Sequence, residues 1–132
     1  MDDALILIDC RYQLVFEITA KHIKEANRRD ERRCVIGLAI ADHYKRNKHY
    51  KSVVTGSSTV KIHEGNFIWR YSTPYNLAEA IRRFDNTGYW KLDPGYYVLL
   101  PYRHPVRYNG PRQRAYYGLA ERTRVTTKYT RM

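Results

Sequence analysis

Residues 33–44 (RCVIGLAIADHY) form the most apolar stretch of the chain, and nine of these twelve residues are apolar or glycine. A helix that is apolar nearly all round is typically buried in a protein core. Residues 28–33 (RRDERR), which overlap its start, are charged at every position. The pattern therefore predicts a solvated segment that leads directly into a central buried helix.

Short runs of β-branched, aromatic and aliphatic residues predict strands on both sides of this helix. The Gly-Ser-Ser sequence at residues 56–58 separates two of these runs and favours a hairpin turn. A third run follows after another turn, so the three runs predict an antiparallel meander. The first two runs of the chain could form a hairpin or one bent strand. The predicted strands are residues 4–8, 12–18, 52–54, 59–62, 67–71 and 96–100.

Two further helices are predicted. Thr19 can cap a short helix over residues 20–27, because its hydroxyl can accept from the free amides of a first turn. The second helix has one apolar stripe at i, i+3, i+4 and i+7, with a Ser-Thr-Pro start at 72–74 and an Asp-Asn-Thr-Gly stop at 85–88. The stripe consists of Leu77, Ala80, Ile81 and Phe84.

These elements predict an α+β fold: an antiparallel sheet of about four or five strands packed on two to three helices, with a basic C-terminal arm. The 132 residues are enough for one domain. We assign residues 1–100 to the α+β core domain and residues 101–132 to the arm. The arm is rich in proline, cations and tyrosine and has little core periodicity, although residues 124–129 (RVTTKY) could form one edge strand.

Positive charge is concentrated in the arm. The net charge of the chain is +11; residues 1–100 contain 16 basic and 12 acidic residues, whereas residues 101–132 contain eight basic residues and one acidic residue. Such a field attracts nucleic acid, acidic protein surfaces or anionic lipid. A simpler interpretation is that the charge only keeps the protein in solution.

Cations and tyrosines alternate along the arm, which is typical of a nucleic-acid contact. Cations bind phosphates, and flat rings stack on unpaired bases. The same side chains could instead bind an acidic or nucleic-acid-binding host protein, or pack against the sheet. The candidate binding residues are Arg103, Arg107, Tyr108, Arg112, Arg114, Tyr116, Tyr117, Arg122 and Arg124.

No motif in the sequence requires a metal, a cofactor or a catalytic centre. The histidines and cysteines lack the close pairs of a zinc site, and no glycine-rich phosphate loop is present. Cys10 and Cys34 are interpreted as small buried hydrophobic residues. His43, next to Asp42, is expected near solvent at the end of the buried helix. We therefore expect no enzyme, although a metal-free nuclease needs only His, Lys and Tyr, which are abundant.

The N-terminus favours a cytoplasmic protein without a membrane partner. Residues 1–3 are acidic where a secretion signal would be basic, and no apolar run approaches the length of a membrane span.

The order of these elements resembles that of small uncharacterised proteins encoded by bacteriophages, over about residues 14–100. In those proteins a strand leads into an Ile-Thr helix start, a Cys-led apolar helix follows, and a later helix ends in Phe-Asp. The residues that carry the resemblance here are Thr19, Ile23, Cys34, Ala39, Phe84 and Asp85. The resemblance implies a phage accessory protein of α+β fold, located in the host cytoplasm, and no known activity.

Two functions follow as expectations. The first is a phage accessory protein that binds DNA or RNA through a basic, tyrosine-rich surface. The alternative is a protein-binding inhibitor of a host defence system, such as an anti-CRISPR or another anti-defence factor.

Overall fold

The computed structural model describes residues 4–102 and 126–130. Three helices and seven strands are found there, which confirms the α+β class, with more strands than the four or five expected. In chain order the elements are β1 (Ala4–Asp9), β2 (Leu14–Ile18), α1 (Ala20–Glu25), α2 (Val35–His43), β3 (Tyr50–Thr55), β4 (Thr59–Glu64), β5 (Phe67–Ser72), α3 (Tyr75–Thr87), β6 (Gly95–Pro101) and β7 (Thr126–Thr130).

Strand β5 organises the curled sheet. On one edge it pairs with β4, and β4 with β3, so the predicted antiparallel meander is confirmed. On its other edge, β5 pairs in parallel with β1 along Phe67–Arg70, and then with the end of β6 at Tyr71 and Ser72. Strand β6 also pairs with β2, and β7 lies outside β1. The β1–β5 pairing is parallel, and the other pairings are antiparallel, as predicted.

Strands β1 and β2 form the predicted bent strand rather than a hairpin. β1 is parallel to β5, whereas β2 is antiparallel to β6, which is itself antiparallel to β5. The two strands therefore run in the same direction and have different partners. The bend between them takes the chain from the middle of the sheet to β2, at the far side of β6.

Helix α2 is the central buried helix that its sequence predicts. Val35, Ile36 and Ile40 are fully buried, and they share one core with the inward side chains of β2 to β6. Leu38 is the exception, because it is half-buried and lines a surface cleft with residues of α1. The apolar stripe of α3 is also confirmed, since all four of its members are buried in the same core: Leu77, Ala80, Ile81 and Phe84.

The helix ends differ slightly from the sequence prediction. Thr19 caps α1 as expected, but the helix ends at Glu25 rather than Asn27. Pro74 is itself the N-cap of α3 and not part of its first turn. The hydroxyl of Thr73 donates to the carbonyl of Gly56 at 2.8 Å, so it links α3 to the β3–β4 turn instead of capping the helix.

Gly37 allows the segment before α2 to lie directly on the helix. A β-carbon at this position would lie 2.4 Å from the carbonyl oxygen and 2.8 Å from the carbonyl carbon of Arg32. These are backbone atoms, so a side chain here can be accommodated only if the loop moves.

The Gly37→Ala substitution should therefore destabilise the protein, although glycine-to-alanine changes inside helices normally stabilise. The ordinary gain is about 0.5–1 kcal/mol, and we expect instead a net loss of roughly 1–3 kcal/mol from overpacking. The measurement is urea unfolding followed by circular dichroism. Ala41→Gly, at a half-buried position of the same helix, is the control and should show only the normal propensity loss. An alanine variant as stable as the parent would contradict the close approach.

Candidate functional site

The candidate binding residues of the arm cannot be placed, because all nine lie outside the described residues. They are Arg103, Arg107, Tyr108, Arg112, Arg114, Tyr116, Tyr117, Arg122 and Arg124. The described part of the arm is its start at Pro101 and Tyr102, and strand β7, which overlaps the edge strand predicted at residues 124–129. The site below is therefore built from the core domain.

The charged loop between α1 and α2 is attached to the C-terminal end of α3. Arg29 has a left-handed backbone (φ 63°), and its N–H donates to the carboxylate of Asp85 at 2.8 Å. The Nε of Arg29 donates to the carbonyl oxygen of Asp85 at 3.2 Å, and Nη2 of Arg28 donates to the carbonyl of Asn86 at 3.1 Å. Cations complement the unpaired carbonyls at a helix C-terminus. These bonds hold the loop on α3.

The other side of the loop is attached to β3. The carbonyl of Glu31 accepts from the backbone N–H of Thr55 at 2.8 Å and from its hydroxyl at 2.9 Å. The Thr55 hydroxyl has only one hydrogen, so the Cys34 thiol, 2.8 Å away, donates to it. The Cys34 sulfur also accepts from the N–H of Gly37 and caps α2.

This environment makes Cys34 a structural residue. Burial raises the pKa of the Cys34 thiol above its ordinary value, partly offset by the bonds to Thr55 and Gly37. A thiol with a raised pKa is a poor nucleophile. The expectation that Cys10 and Cys34 are buried is confirmed.

The acidic residues around the loop bind backbone amides rather than arginine side chains. Asp30 accepts from the N–H groups of Arg32 and Arg33, at 3.0 and 3.1 Å, and Asp85 accepts from that of Arg29. Six exposed arginines surround this region, and within the described part of the chain none of them forms a salt bridge. We call them the arginine cluster: Arg28, Arg29, Arg32, Arg33, Arg82 and Arg83.

A cleft with a volume of about 330 Å³ opens within the arginine cluster. Arg29 and Arg82 line it from the loop and from α3, and Ser57 lines it from the β3–β4 turn. Three carboxylates also lie at the cleft: Asp30, Glu31 and Asp85. The six arginines and these three acids give the region a net charge of +3, and its guanidinium groups keep N–H donors for a ligand.

Exposed cations continue along β3. Lys48 precedes the strand and Lys51 lies on it, both exposed. Tyr50 is stacked on Tyr44, with ring centroids 5.4 Å apart. Burial and Tyr44 raise the pKa of Tyr50, and the charge of Arg32 partly offsets this. The Glu31–Thr55 hydrogen bonds hold the loop next to β3. The basic surface therefore extends from α3 across the loop to β3.

His22 and Asp42 form a second group of interacting polar side chains, which the sequence did not predict. Asp42 had been considered with its neighbour His43, but His43 is exposed, as expected, and lies edge-on to Tyr44. The carboxylate of Asp42 instead lies 3.0 Å from Nε2 of buried His22. The only local signal was the Thr-x-x-His spacing, a variant of the capping box.

The geometry of His22 fixes its tautomer. The N–H of Thr19 can only donate, and it lies 3.0 Å from Nδ1 of His22, so Nδ1 accepts. Nε2 therefore carries the hydrogen and donates to Asp42. Both ring nitrogens are thus occupied, and His22 has no free lone pair with which to act as a general base. A cleft of about 330 Å³ lies next to it and is lined by Glu17, Lys45 and others.

Asp9, Arg70 and Tyr102 join three strands on the side of the sheet opposite the central core. Nε of Arg70 lies 2.5 Å from the carboxylate of Asp9, and both side chains are largely buried. The Arg70 guanidinium lies over the Tyr102 ring, 3.8 Å from its centroid. The Tyr102 N–H donates to the carbonyl of Cys10 at 3.0 Å. This cluster connects β1, β5 and the end of β6, and we interpret it as structural.

Residues 4–102 and 126–130 contain no group of three His, Cys, Asp or Glu residues that could hold a metal ion. In the same part of the chain, no helix is long and apolar enough to cross a membrane. Comparisons with protein-family models, curated proteins and solved structures found no significant match.

Replacing His22 should weaken α1 and its contact with α2. His22→Ala removes the bond to Thr19 and the bond to Asp42, and we expect a loss of roughly 0.5–2 kcal/mol, as for other capping residues. His22→Gln can still accept from Thr19 and should recover part of the loss. Urea unfolding of the three proteins measures this. Equal stability of parent and alanine variant would show that the capping box contributes nothing.

The His22–Asp42 contact also predicts a pH dependence. The bond from His22, and secondarily the charge of Lys45, lower the pKa of Asp42 below its ordinary value. A carboxylate whose pKa is lower in the folded state stabilises the fold above about pH 4, and this stability is lost as the pH falls further. Asp42 is half exposed, so the effect should be below about 1 kcal/mol. Asp42→Asn should unfold more easily than the parent at neutral pH, and the difference should vanish in acid.

Proposed function

We propose that the protein binds nucleic acid through the arginine cluster. The observation that carries this proposal is the arrangement of charges at the α1–α2 loop, where Asp30 and Asp85 bind backbone N–H groups. The arginine side chains around them keep donors for an external anion. A field of this sign draws polyanions toward it.

The chemistry of the cluster suits phosphate. A guanidinium presents a planar fork of donors that matches phosphate oxygens, as it also matches those of a carboxylate. The loop is held on one side by Thr55 and on the other by Asp85. A preorganised loop loses little conformational entropy when it binds.

The arm belongs to the same proposal. Its cations and tyrosines would extend the contact along a nucleic-acid strand. The proposed arm contacts are Arg103, Arg107, Tyr108, Arg112, Arg114, Tyr116, Tyr117, Arg122 and Arg124.

The test is the salt dependence of binding to labelled DNA and RNA, measured by fluorescence anisotropy. With about five phosphate contacts, the logarithm of the affinity should fall with the logarithm of the salt concentration with a slope of roughly −3.5 to −4.5. Replacing Arg32, Arg33 and Arg83 together by alanine should flatten this slope by about 2 to 3. These side chains are exposed, so the melting temperature should change little.

The matched control removes the same charge elsewhere. Arg11, Lys21 and Lys24 are exposed cations outside the cluster, and their alanine variants should retain most of the slope. A variant with Arg103, Arg107, Arg112 and Arg114 changed to alanine measures the share of the arm. Equal effects of the cluster and control variants would show that only net charge matters. No binding of any nucleic acid by the parent at low salt would refute the proposal.

A second candidate function is the inhibition of a host protein. The observation that favours it is an open edge of strand β2. Within the described residues β2 pairs only with β6, so one of its edges is open. Val15 of β2 and Tyr96 of the paired strand β6 are 45% and 74% exposed and line one cleft with Glu17. An open strand edge can accept an extended segment of a partner, and nearby exposed side chains can contact it. The phage origin and an anti-defence role, such as an anti-CRISPR, stay predictions, and failure to bind nucleic acid would favour this second function.

A further inference from the structure

Tyr89 is an exposed aromatic residue beside the arginine cluster. It follows the C-cap of α3 and is 62% exposed, although Trp90, directly after it, is buried. Aromatic side chains normally bury most of their area in the core. A ring this exposed contributes little to the fold and is available to a ligand.

The backbone that carries Tyr89 is fixed on both sides. Gly88 adopts the left-handed conformation (φ 77°), which glycine accepts without strain, and its N–H donates to the carbonyl of Phe84 at 2.7 Å. The N–H of Tyr89 donates to the hydroxyl of Thr87 at 3.1 Å. On the other side, Trp90 packs edge-on against Phe84, with ring centroids 6.2 Å apart.

Arginines lie next to this turn. Arg28 crosses the helix end so closely that a β-carbon at Gly88 would be 3.4 Å from its Nη1. Arg83 is exposed on α3 one turn before the helix end, and its carbonyl accepts from the Thr87 hydroxyl at 2.7 Å. An exposed ring and two cations therefore share one end of the helix.

We propose that Tyr89 stacks on an unpaired base, and that the ligand of the arginine cluster is single-stranded nucleic acid. Arg28 and Arg83 would neutralise the phosphates on either side of the stacked base. Only an unpaired base offers an open face to a ring, whereas phosphates are equally available in duplexes. This inference rests on the proposed function, and it adds the kind of nucleic acid and a contact outside the arm.

The experiment compares a labelled single strand with the duplex of the same sequence at fixed low salt. The parent should bind the single strand more tightly, and Tyr89→Ala should weaken that binding roughly tenfold while duplex binding stays the same. Tyr89→Phe keeps the ring and should bind as the parent does. The matched control is Tyr75→Ala, because Tyr75 is 76% exposed at the other end of α3 and bonds to Glu79.

A second readout does not depend on affinity. A single strand that contains 2-aminopurine should lose fluorescence on binding to the parent and to Tyr89→Phe, because the base stacks on the ring. The loss should be much smaller with Tyr89→Ala under saturating conditions. Thermal melting checks that the alanine variant is folded.

The outcomes of this experiment distinguish the single-strand inference from the proposal that the arginine cluster binds phosphates. If the parent binds duplex and single strand equally, or if Tyr89→Ala behaves like Tyr75→Ala, the single-strand inference is wrong and phosphate binding by the cluster stands. The same holds if Tyr89→Phe loses as much affinity as Tyr89→Ala, since the hydroxyl rather than the ring would then be the contact. If the parent binds neither form, both proposals are wrong.

Discussion

The burial of α2 determines how the rest of the chain is arranged. Most of its apolar side chains, with the exception of Leu38, lie in the core, so the strands and the other helices must enclose the helix on most of its sides. The chain before it is fully charged, and it changes from exposed at Arg33 to buried at Cys34 and Val35. The missing side chain of Gly37 lets the charged loop turn directly above the helix and remain at the surface. Core packing and the position of the arginines are thus consequences of the same constraint.

The elements that the sequence predicted are those whose pattern is local. The apolar α2, the stripe of α3, the Thr19 cap and the β3–β5 meander each depend on residues within a few positions of one another. The parallel pairing of β1 with β5 and the contact of His22 with Asp42 join residues far apart in the chain. Hydrophobic periodicity shows which face of an element is buried but not which element lies beside it, so these features could not be predicted.

The basic surface likewise has a part that the sequence predicts and a part that depends on contacts between distant residues. Composition predicts the excess charge of the arm, whereas the sequence of the loop RRDERR predicts only a solvated segment. The position of this loop is decided by tertiary contacts, in which Asp85 accepts from the Arg29 N–H and Thr55 donates to the Glu31 carbonyl. A carboxylate that accepts from backbone N–H groups still carries its charge, but those bonds take the place of a bidentate salt bridge to an arginine side chain.

The parallel pairing of β1 has a consequence for synthesis on the ribosome. β1 is synthesised well before its neighbour β5, which begins only at Phe67, so the apolar run ALILI cannot pair with β5 until that strand has been made. Contacts between distant segments form slowly because closing a long loop costs entropy. In that interval β1 is an unpaired apolar strand, the kind of segment that chaperones bind and that aggregates when they are scarce. The yield of the protein in cells should therefore depend on the residues of β1 more than on the charged loops.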